Sequence, residues 1–353
     1  MAAETLSSVA NALSQVFAPK LARQWNRSAI TAALIDAQAD GVSAGRGKNV
    51  AWDVAVSGNT ATTVAEGSDV TDGELASDVN LPAVLAWSHY RTSFKVSETE
   101  LDAAASSMGT AAALMDLFGE RIMNGGEKLS RTINVDMIQA TGTDGSGNPT
   151  IVGLLGGPLE TSGLYAGIDR GTYSEWKGNV LSNGSVPRPL TLDLMYQMDQ
   201  SIFTASLETA THIVCSPGVY RKYANLFEAI RRIEGDGRGA LSMGGGAAEL
   251  FWKGTPILRD PSVPAGTLIF FNARHVKAKY LPRLQSPQDA VMQRMADLVG
   301  GNGDAVKNVT GVPARLAILA KTGDSVKVSM KTTLQMLVDR PGALGYISDI
   351  SES

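Results

Sequence analysis

The sequence predicts an α+β chain with a helical N-terminal arm, a projecting β-hairpin, one very long helix, and two lobes of short strands and helices. Three observations lead there. Asn49 to Phe94 reads as two β-patterned arms joined by a long acidic loop. A capped apolar stripe follows at once, at helical spacing, from Ser97 to about Thr141. From Gly142 onward the pattern changes to short strands, turns and helices. With 353 residues, 44% hydrophobic and 19% charged, the chain is long enough for two domain-sized cores and too apolar for disorder.

The arm comes first. Leu6, Val9, Ala10, Leu13, Val16 and Phe17 recur at helical spacing until Pro19 stops them. A second stretch presents Leu21, Trp25, Ala32 and Ile35 before Asp40-Gly41 ends it. In the hairpin, Val50, Trp52, Val54 and Val56 alternate with Ala51, Asp53 and Ala55, the two-residue period of a strand with one apolar face. The return arm, Ala83 to Val96, carries Trp87, Tyr90 and Phe94. Between them Ser57 to Asn80 is polar and glycine-punctuated, and loops of more than about 20 residues are rare inside compact domains unless they are functional. An isolated hairpin is at best marginally stable in water, so this one is expected to pack on a neighbouring subunit.

Ser97-Glu98-Thr99-Glu100 is a capping box, and Leu101, Met108, Met115, Ile122 and Leu129 then recur every seven residues, with Ala105, Ala112, Phe118 and Ile133 beside them. A helix of about 40 residues would span ~60 Å. Asn124-Gly125-Gly126 is the place for a kink or interruption, since glycine costs about 1 kcal/mol against alanine in a helix interior. Gly142 to Pro149 is a boundary of turn formers. Thr191 caps a helix through Leu192, Met195, Ile202 and Phe203, and Ser216-Pro217 starts another through Tyr220, Tyr223, Leu226 and Ile230. His212 to Cys215 reads as a buried strand, Gly235 to Gly246 as a loop, Thr255 to Asp260 and Gly266 to Phe271 as strands, and Pro313 to Val338 as a hairpin turned at Gly323-Asp324.

Charge and cysteine usage exclude several classes. A net charge of −4 argues against bulk electrostatic binding of nucleic acid. Cys215 is the single cysteine, so no intramolecular disulfide forms. The start Met-Ala-Ala-Glu lacks the features of a signal peptide, and no run of about 18 apolar residues occurs. A chain made and kept in a cytoplasm is expected.

Candidate catalytic patterns are weak. Gly41-Val-Ser43-Ala-Gly45 matches a nucleophile elbow, but that motif needs a strand before the serine and a helix after it, whereas here a helix precedes and a loop follows. His89, His212 and His275 are the only imidazole bases available to such a serine hydrolase. His212 and Cys215 have the spacing of half a metal site with no second pair to complete it. Asp69-Val-Thr-Asp72-Gly73-Glu74 lacks the ligand order of an EF-hand. The glycine-rich loops lack the phosphate-binding signatures. No catalytic, cofactor or metal residue is expected.

Tyr165-Ala-Gly-Ile-Asp-Arg-Gly-Thr-Tyr173, continuing to Trp176, resembles the motif that opens the axial domain of major capsid proteins of tailed bacteriophages. Phe251 to Asp260, Pro264 to Asn272, and the ending Leu334-Gln-Met-Leu-Val-Asp-Arg-Pro341 are similar to the same family, in the same order along nearly the whole chain. The resemblance implies a Hong Kong 97-like fold. Residues 1–47 would be the N-terminal arm, 48–95 the extended loop, 96–147 the spine helix and first part of the peripheral domain, 148–275 the axial domain, and 276–353 the return to the peripheral domain. It further implies a structural subunit of pentamers and hexamers in an icosahedral head around double-stranded DNA, each extended loop lying over a neighbour. Its partners would be further copies of itself, a portal, and scaffolding or decoration proteins, with no sequence-specific DNA contact and no membrane. The virion capsid, assembled in the bacterial cytoplasm, is the implied location. An encapsulin-type compartment is the alternative with the same fold.

Two departures from better-known relatives are visible. Some members weld subunits through an extended-loop lysine, but no lysine occurs between Asn49 and Phe94, so that cross-link is not expected. The hairpin instead holds Asp53, Glu66, Asp69, Asp72, Glu74 and Asp78 against Arg91 alone. Pairing with a neighbour's Arg121, Lys128 and Arg131 on the spine helix is expected, with Trp52 as an apolar contact. A solvated acidic surface is the alternative, because exposed pairs contribute only about 0–1 kcal/mol each. The short N-terminus leaves no room for a large cleavable scaffolding segment, so a separate scaffold or none is expected.

Overall fold

The structure is a computed structural model that describes residues 30–36, 42–44, 47–57, 63, 66–67, 79–100, 111–234, 250–281, 315–319 and 325–352. The expected helix from Leu6 to Phe17, most of the acidic loop, the Gly235 to Gly246 loop and the Gly323-Asp324 turn lie outside them. In chain order the elements are α1 (Ile30–Asp36), β1 (Val42–Ala44), β2 (Asn49–Ser57), β3 (Val79–Ala86), β4 (Ser88–Ser97), α2 (Ala111–Gln139), β5 (Thr141–Thr143), β6 (Pro149–Val152), β7 (Leu164–Tyr165), β8 (Ile168–Asp169) and β9 (Asn179–Leu181). Then follow α3 (Leu192–Ser206), β10 (His212–Cys215), α4 (Pro217–Glu234), β11 (Leu250–Trp252), β12 (Thr255–Arg259), β13 (Leu268–Phe271), β14 (Val276–Tyr280), β15 (Arg315–Leu319), β16 (Ser325–Val338) and β17 (Gly345–Ile347). The chain divides into two compact units. The first holds residues 1–36, 88–134 and 280–334, and the second 37–87, 135–279 and 335–353.

In the first unit β16 is the middle of an antiparallel set, with β4 on one edge and β15 on the other. Period-two alternation decides its faces: Val96, Val328 and Met330 are buried, while His89, Arg91, Ser93 and Lys95 are exposed. The capping box forms as its sequence requires. The Ser97 amide donates to Glu100 Oε2 at 3.1 Å, and the Glu100 amide donates to Ser97 Oγ at 3.3 Å. Helix α2 runs unbroken through Asn124-Gly125-Gly126, where the sequence permitted a kink. A Cβ on Gly125 would stand 3.5 Å from Thr92 Cγ2, so the glycine brings the helix backbone close to the sheet. Leu129 and Ile133 of the expected stripe are buried, and Asn134 Oδ1 accepts the Ala32 amide of α1 at 3.0 Å.

The return arm expected over Ala83 to Val96 is two strands. β3 pairs with β2 in the second unit, from Asn49 opposite Ala86 to Ser57 opposite Val79, and β4 belongs to the first. Trp87 separates them: it turns inward to 5% exposure and donates its indole N–H to Gly47 O at 3.0 Å.

The second unit is centred on a six-stranded mixed sheet of order β11-β12-β10-β13-β17-β9. β10, apolar along its length, sits between parallel β12 and antiparallel β13. Helices α3 and α4 bury Leu194, Met195, Met198, Ile202, Val219 and Tyr223 with Ile213, Cys215, Ile257, Leu268 and Phe270 in one cluster. Both helices start where side-chain chemistry dictates: Thr191 Oγ1 accepts the Leu194 amide at 3.2 Å, and Pro217 opens α4. Within the expected boundary from Gly142 to Pro149, Asp144 to Asn148 form the turn between β5 and β6, held by Asp144 Oδ1, which accepts the Ser146 and Asn148 amides at 2.8 Å each. The last carbonyls of α2 are satisfied by the chain after β6, through Gly153 N to Ala140 O, Leu154 N to Met137 O and Leu155 N to Ile138 O at 2.7–2.9 Å. Only glycine fits at 153, because a Cβ would lie 2.5 Å from Asp136 O.

Candidate functional site

The surfaces that the sequence marks are the hairpin and α2. On β2 and β3 the cross-strand pairs Val50–Leu85, Trp52–Ala83 and Val54–Leu81 form one apolar face. Val50, Ala83 and Leu85 are buried, and the hairpin base is tied to its own unit by the Val84 amide on Ala166 O and by Gln335 Nε2 on Ala86 O. The base therefore rests on its own chain, which the sequence reading had not foreseen. Trp52 is half-buried, and its indole N–H is shielded from solvent with no hydrogen-bond partner. Glu66 is exposed in a turn, and Asp69, Asp72, Glu74 and Asp78 lie outside the described residues. On α2, Arg121 is already bridged to Glu100 of its own chain at 3.3 Å, while Lys128 and Arg131 are exposed.

The motif from Tyr165 to Trp176 is a self-contained packing device. β7 and β8 are joined by the two-residue turn Ala166-Gly167, both at positive φ (53° and 85°), which is the turn that matches the twist of a tight hairpin. Asp169 follows and accepts from Gly171 N, Thr172 N and Thr172 Oγ1 at 2.8–3.1 Å. The Gly171 amide leads in holding its carboxyl below the ordinary range. Arg170 points inward, fully buried, and donates to Ser162 O at 2.7 Å and to Gly157 O, with its guanidinium 5.6 Å from the Tyr165 ring centre. Tyr165 stacks on Trp176 at 5.6 Å, accepts the Trp176 indole N–H at its carbonyl, and accepts the Val338 amide at its hydroxyl. Within this motif, polar groups that one residue buries are satisfied by another.

A charged cluster that the sequence did not reveal joins three loops of the second unit. His275 Nδ1 lies 2.7 Å from Asp339 Oδ1, and its Nε2 lies 2.9 Å from Glu208 Oε2. Ionised carboxylates only accept, so with both ionised this geometry favours the imidazolium form, in which both ring nitrogens donate. The Asp339 bond raises the His275 pKa against the opposing effect of burial, with Glu208 adding to it. The His275 bond holds Glu208 low. Burial pushes Asp339 up, but bonds from His275 and Lys277 outweigh it and leave the carboxyl lowered. Arg340 and Asn272 also reach Glu208, at 3.1 and 2.8 Å. Sequence distance hides this cluster: its members lie more than 60 positions apart except where Asp339 adjoins Arg340 and Asn272 adjoins the His275 turn.

The other sequence candidates fall elsewhere. Ser43 is the middle residue of strand β1, not the tip of a strand-to-helix turn. Cys215 is wholly buried in the second unit's core, and burial pushes its thiol up to about 12. Burial likewise lowers His212, which packs edge-on to Phe271. Among the described residues no group of three or more His, Cys, Asp and Glu is placed to hold a metal ion.

A mixed sheet with two helices on one shared core, a long helix against a second sheet, and a paired β-hairpin make a fold of the Hong Kong 97 type. The cyanophage A-1(L) capsid asymmetric unit matches 94% of this chain and 95% of its own, at 18% identity and a TM-score of 0.71. The capsid of a native GTA particle matches 94% and 95% at 13% identity and a TM-score of 0.57. The holo-SrpI encapsulin of Synechococcus elongatus matches 98% and 96% at 13% identity and 0.56. No curated protein is matched by the sequence. Residues 27–351 match the SU10 major capsid protein family, so the chain belongs to that family and is the major capsid protein of a tailed phage.

Proposed function

We propose that copies of this chain assemble into pentamers and hexamers of a closed icosahedral head that encloses double-stranded DNA. Membership of the capsid family over residues 27–351 carries this reading. Within it, residues 1–47 act as the N-terminal arm, 48–95 as the extended loop, 96–147 as the spine helix and first part of the peripheral domain, 148–275 as the axial domain, and 276–353 as the return. The loop acids Glu66, Asp69, Asp72, Glu74 and Asp78 pair with cations of a neighbouring copy. Lys128 and Arg131 are the spine-helix candidates, because Arg121 is engaged by Glu100. Trp52 finishes its indole hydrogen bond on that neighbour.

Such a shell needs no catalytic step. Repeated interfaces of about 1,600 Å² or more, interlocked by arms, resist dissociation even when each is modest. A portal, scaffolding or decoration proteins and the packaged duplex are further partners, and assembly takes place in the host cytoplasm before the protein resides in the virion. Sedimentation with negative-stain imaging of the purified protein tests the proposal. Closed shells or uniform pentamers and hexamers are expected. A chain that stays monomeric when concentrated would overturn it. The encapsulin likeness gives the second reading, in which particles would hold a cargo enzyme in place of nuclease-protected DNA.

A further inference from the structure

One reactive dipeptide recurs in the chain in different settings. Asn-Gly occurs at Asn124-Gly125, at Asn183-Gly184 and at Asn302-Gly303, the last outside the described residues. At such a pair the chain can attack itself, because glycine has no Cβ to block the approach of its own amide nitrogen to the preceding carboxamide. The attack needs an exposed peptide with a free amide, so the fold decides which pair reacts.

The two described pairs differ in that respect. Asn124-Gly125 lies inside α2, where Gly125 is buried and its amide belongs to the helix ladder. Asn183-Gly184 lies between β9 and α3, in a tight turn closed by the Val186 amide on Asn183 O at 3.2 Å. Gly184 and Ser185 sit at φ 62° and 64°, and a serine in this left-handed region is strained. Asn183 and Gly184 are both exposed, with open space where a Cβ on Gly184 would stand. The Asn183 and Ser185 amides donate to Asp349 Oδ2 at 2.7 and 3.2 Å, whereas among the described residues no acceptor takes the Gly184 amide between them.

We infer that Asn183 is a self-modification site, which loses ammonia with time and thereby loosens the segment from Asp349 to Glu352. Hydroxide takes the Gly184 amide proton and the nitrogen bonds to Asn183 Cγ. The Cγ–Nδ2 bond breaks, and Nδ2 leaves as ammonia with a proton from water, which regenerates hydroxide. Water then opens the resulting succinimide. Opening at the side-chain carbonyl leaves aspartate at position 183, and opening at the main-chain carbonyl leaves isoaspartate, with the backbone running through the former side chain.

Either product undoes the turn. Asn183 Nδ2 donates to Val186 O at 2.8 Å, and an ionised carboxylate cannot donate. Its new charge also stands beside the Asp349 carboxylate, and like charges at this range repel. Isoaspartate adds a backbone carbon before Gly184, so the amides at 183 and 185 no longer converge on Asp349. That residue pins the segment after β17: the Arg188 amide donates to Asp349 O at 2.7 Å, and the Ser351 amide donates to Arg188 O at 2.8 Å.

Peptide mapping by mass spectrometry of the folded full chain, aged in mildly alkaline and mildly acidic buffer, tests the inference. Position 183 should exchange its amide nitrogen for oxygen, faster at the higher pH, and an isoaspartyl methyltransferase should label the same peptide. Because α2 must open locally before Asn124 can react, position 183 should convert at least about tenfold faster than position 124. Comparable rates at the two positions would overturn the inference. So would an unchanged position 183 in the folded chain when the same chain in urea converts it, which would show that the turn locks the pair. Ageing should also speed deuterium exchange at the Ile350 and Ser351 amides in wild type but not in Asn183→Gln, whose longer side chain cyclises far more slowly, each compared with its own fresh sample. Equal behaviour of the two would overturn the link to the Asp349 segment. These readouts do not require assembly, so failure of the shell reading would leave them standing.

Discussion

Two backbone carbonyls, those of Gly157 and Ser162, depend on the buried guanidinium of Arg170. Arg170→Met keeps apolar volume but leaves both acceptors without their donor, and it should destabilise the chain by roughly 2 to 5 kcal/mol, read as a lower Tm by differential scanning calorimetry. At His275 the sign follows from its partners. Its pKa is raised in the folded chain, so the stability it contributes is fully present below the ordinary value near 6.5 and is lost as pH rises through the raised one. Glu208 and Asp339 are lowered, so their contribution is present above about pH 4 and is lost as pH falls. His275→Gln should therefore lower Tm most near about pH 5.5 and progressively less toward about pH 9. An equal deficit at both ends would show that the ring is not held as imidazolium.

Elements differ in how much they tolerate, and two glycines show why. At Gly125 an added Cβ makes an ordinary contact with Thr92, and alanine is worth about 1 kcal/mol more than glycine in a helix interior. Gly125→Ala should leave Tm unchanged or raise it. At Gly153 the same methyl would press into the Asp136 carbonyl and the Gln139 and Ala140 amides at 2.5–2.9 Å, where the chain after β6 caps α2. Backbone cannot move aside as a flexible side chain can, so Gly153→Ala should cost on the order of 1–3 kcal/mol. Equal thermal shifts for the two variants would disprove this account of how the helix end is held.

At the scale of the whole molecule, the shell proposed above would place exposed charge at interfaces between copies. The screening length falls from about 10 Å at 0.1 M salt to about 3 Å at 1 M, which weakens exposed pairs and spares buried apolar contact. Assembled shells should therefore lose thermal stability as salt is raised to about 1 M, by a larger margin than unassembled subunits do. Shell stability that is the same at both salt concentrations would remove ion pairing from the account of assembly.

Much of the architecture was legible because it rests on short-range chemistry. The Ser97–Glu100 capping box, the Thr191 cap, the Pro217 start, the alternation of β2 and the turn at Asp144 each depend on residues within a few positions of one another. The order of the Tyr165, Phe251 and Leu334 motifs carried the family, and Tyr165 and Leu334 are buried. Tertiary structure alone decided what depends on distant partners. Trp87 ends the return arm because Gly47 O accepts its indole N–H, and the pattern from Ala83 to Val96 is β-like on both sides of it. α2 passes through two glycines because a sheet surface waits at Gly125. The His275 pKa is raised because Asp339 and Glu208 arrive from either side. Arg91, Lys95, Lys327 and Lys331 become one surface only when strands over 230 residues apart pair in one register. Local preference is written in neighbouring residues, whereas electrostatic surfaces and close backbone approaches exist only after the chain has brought remote segments together.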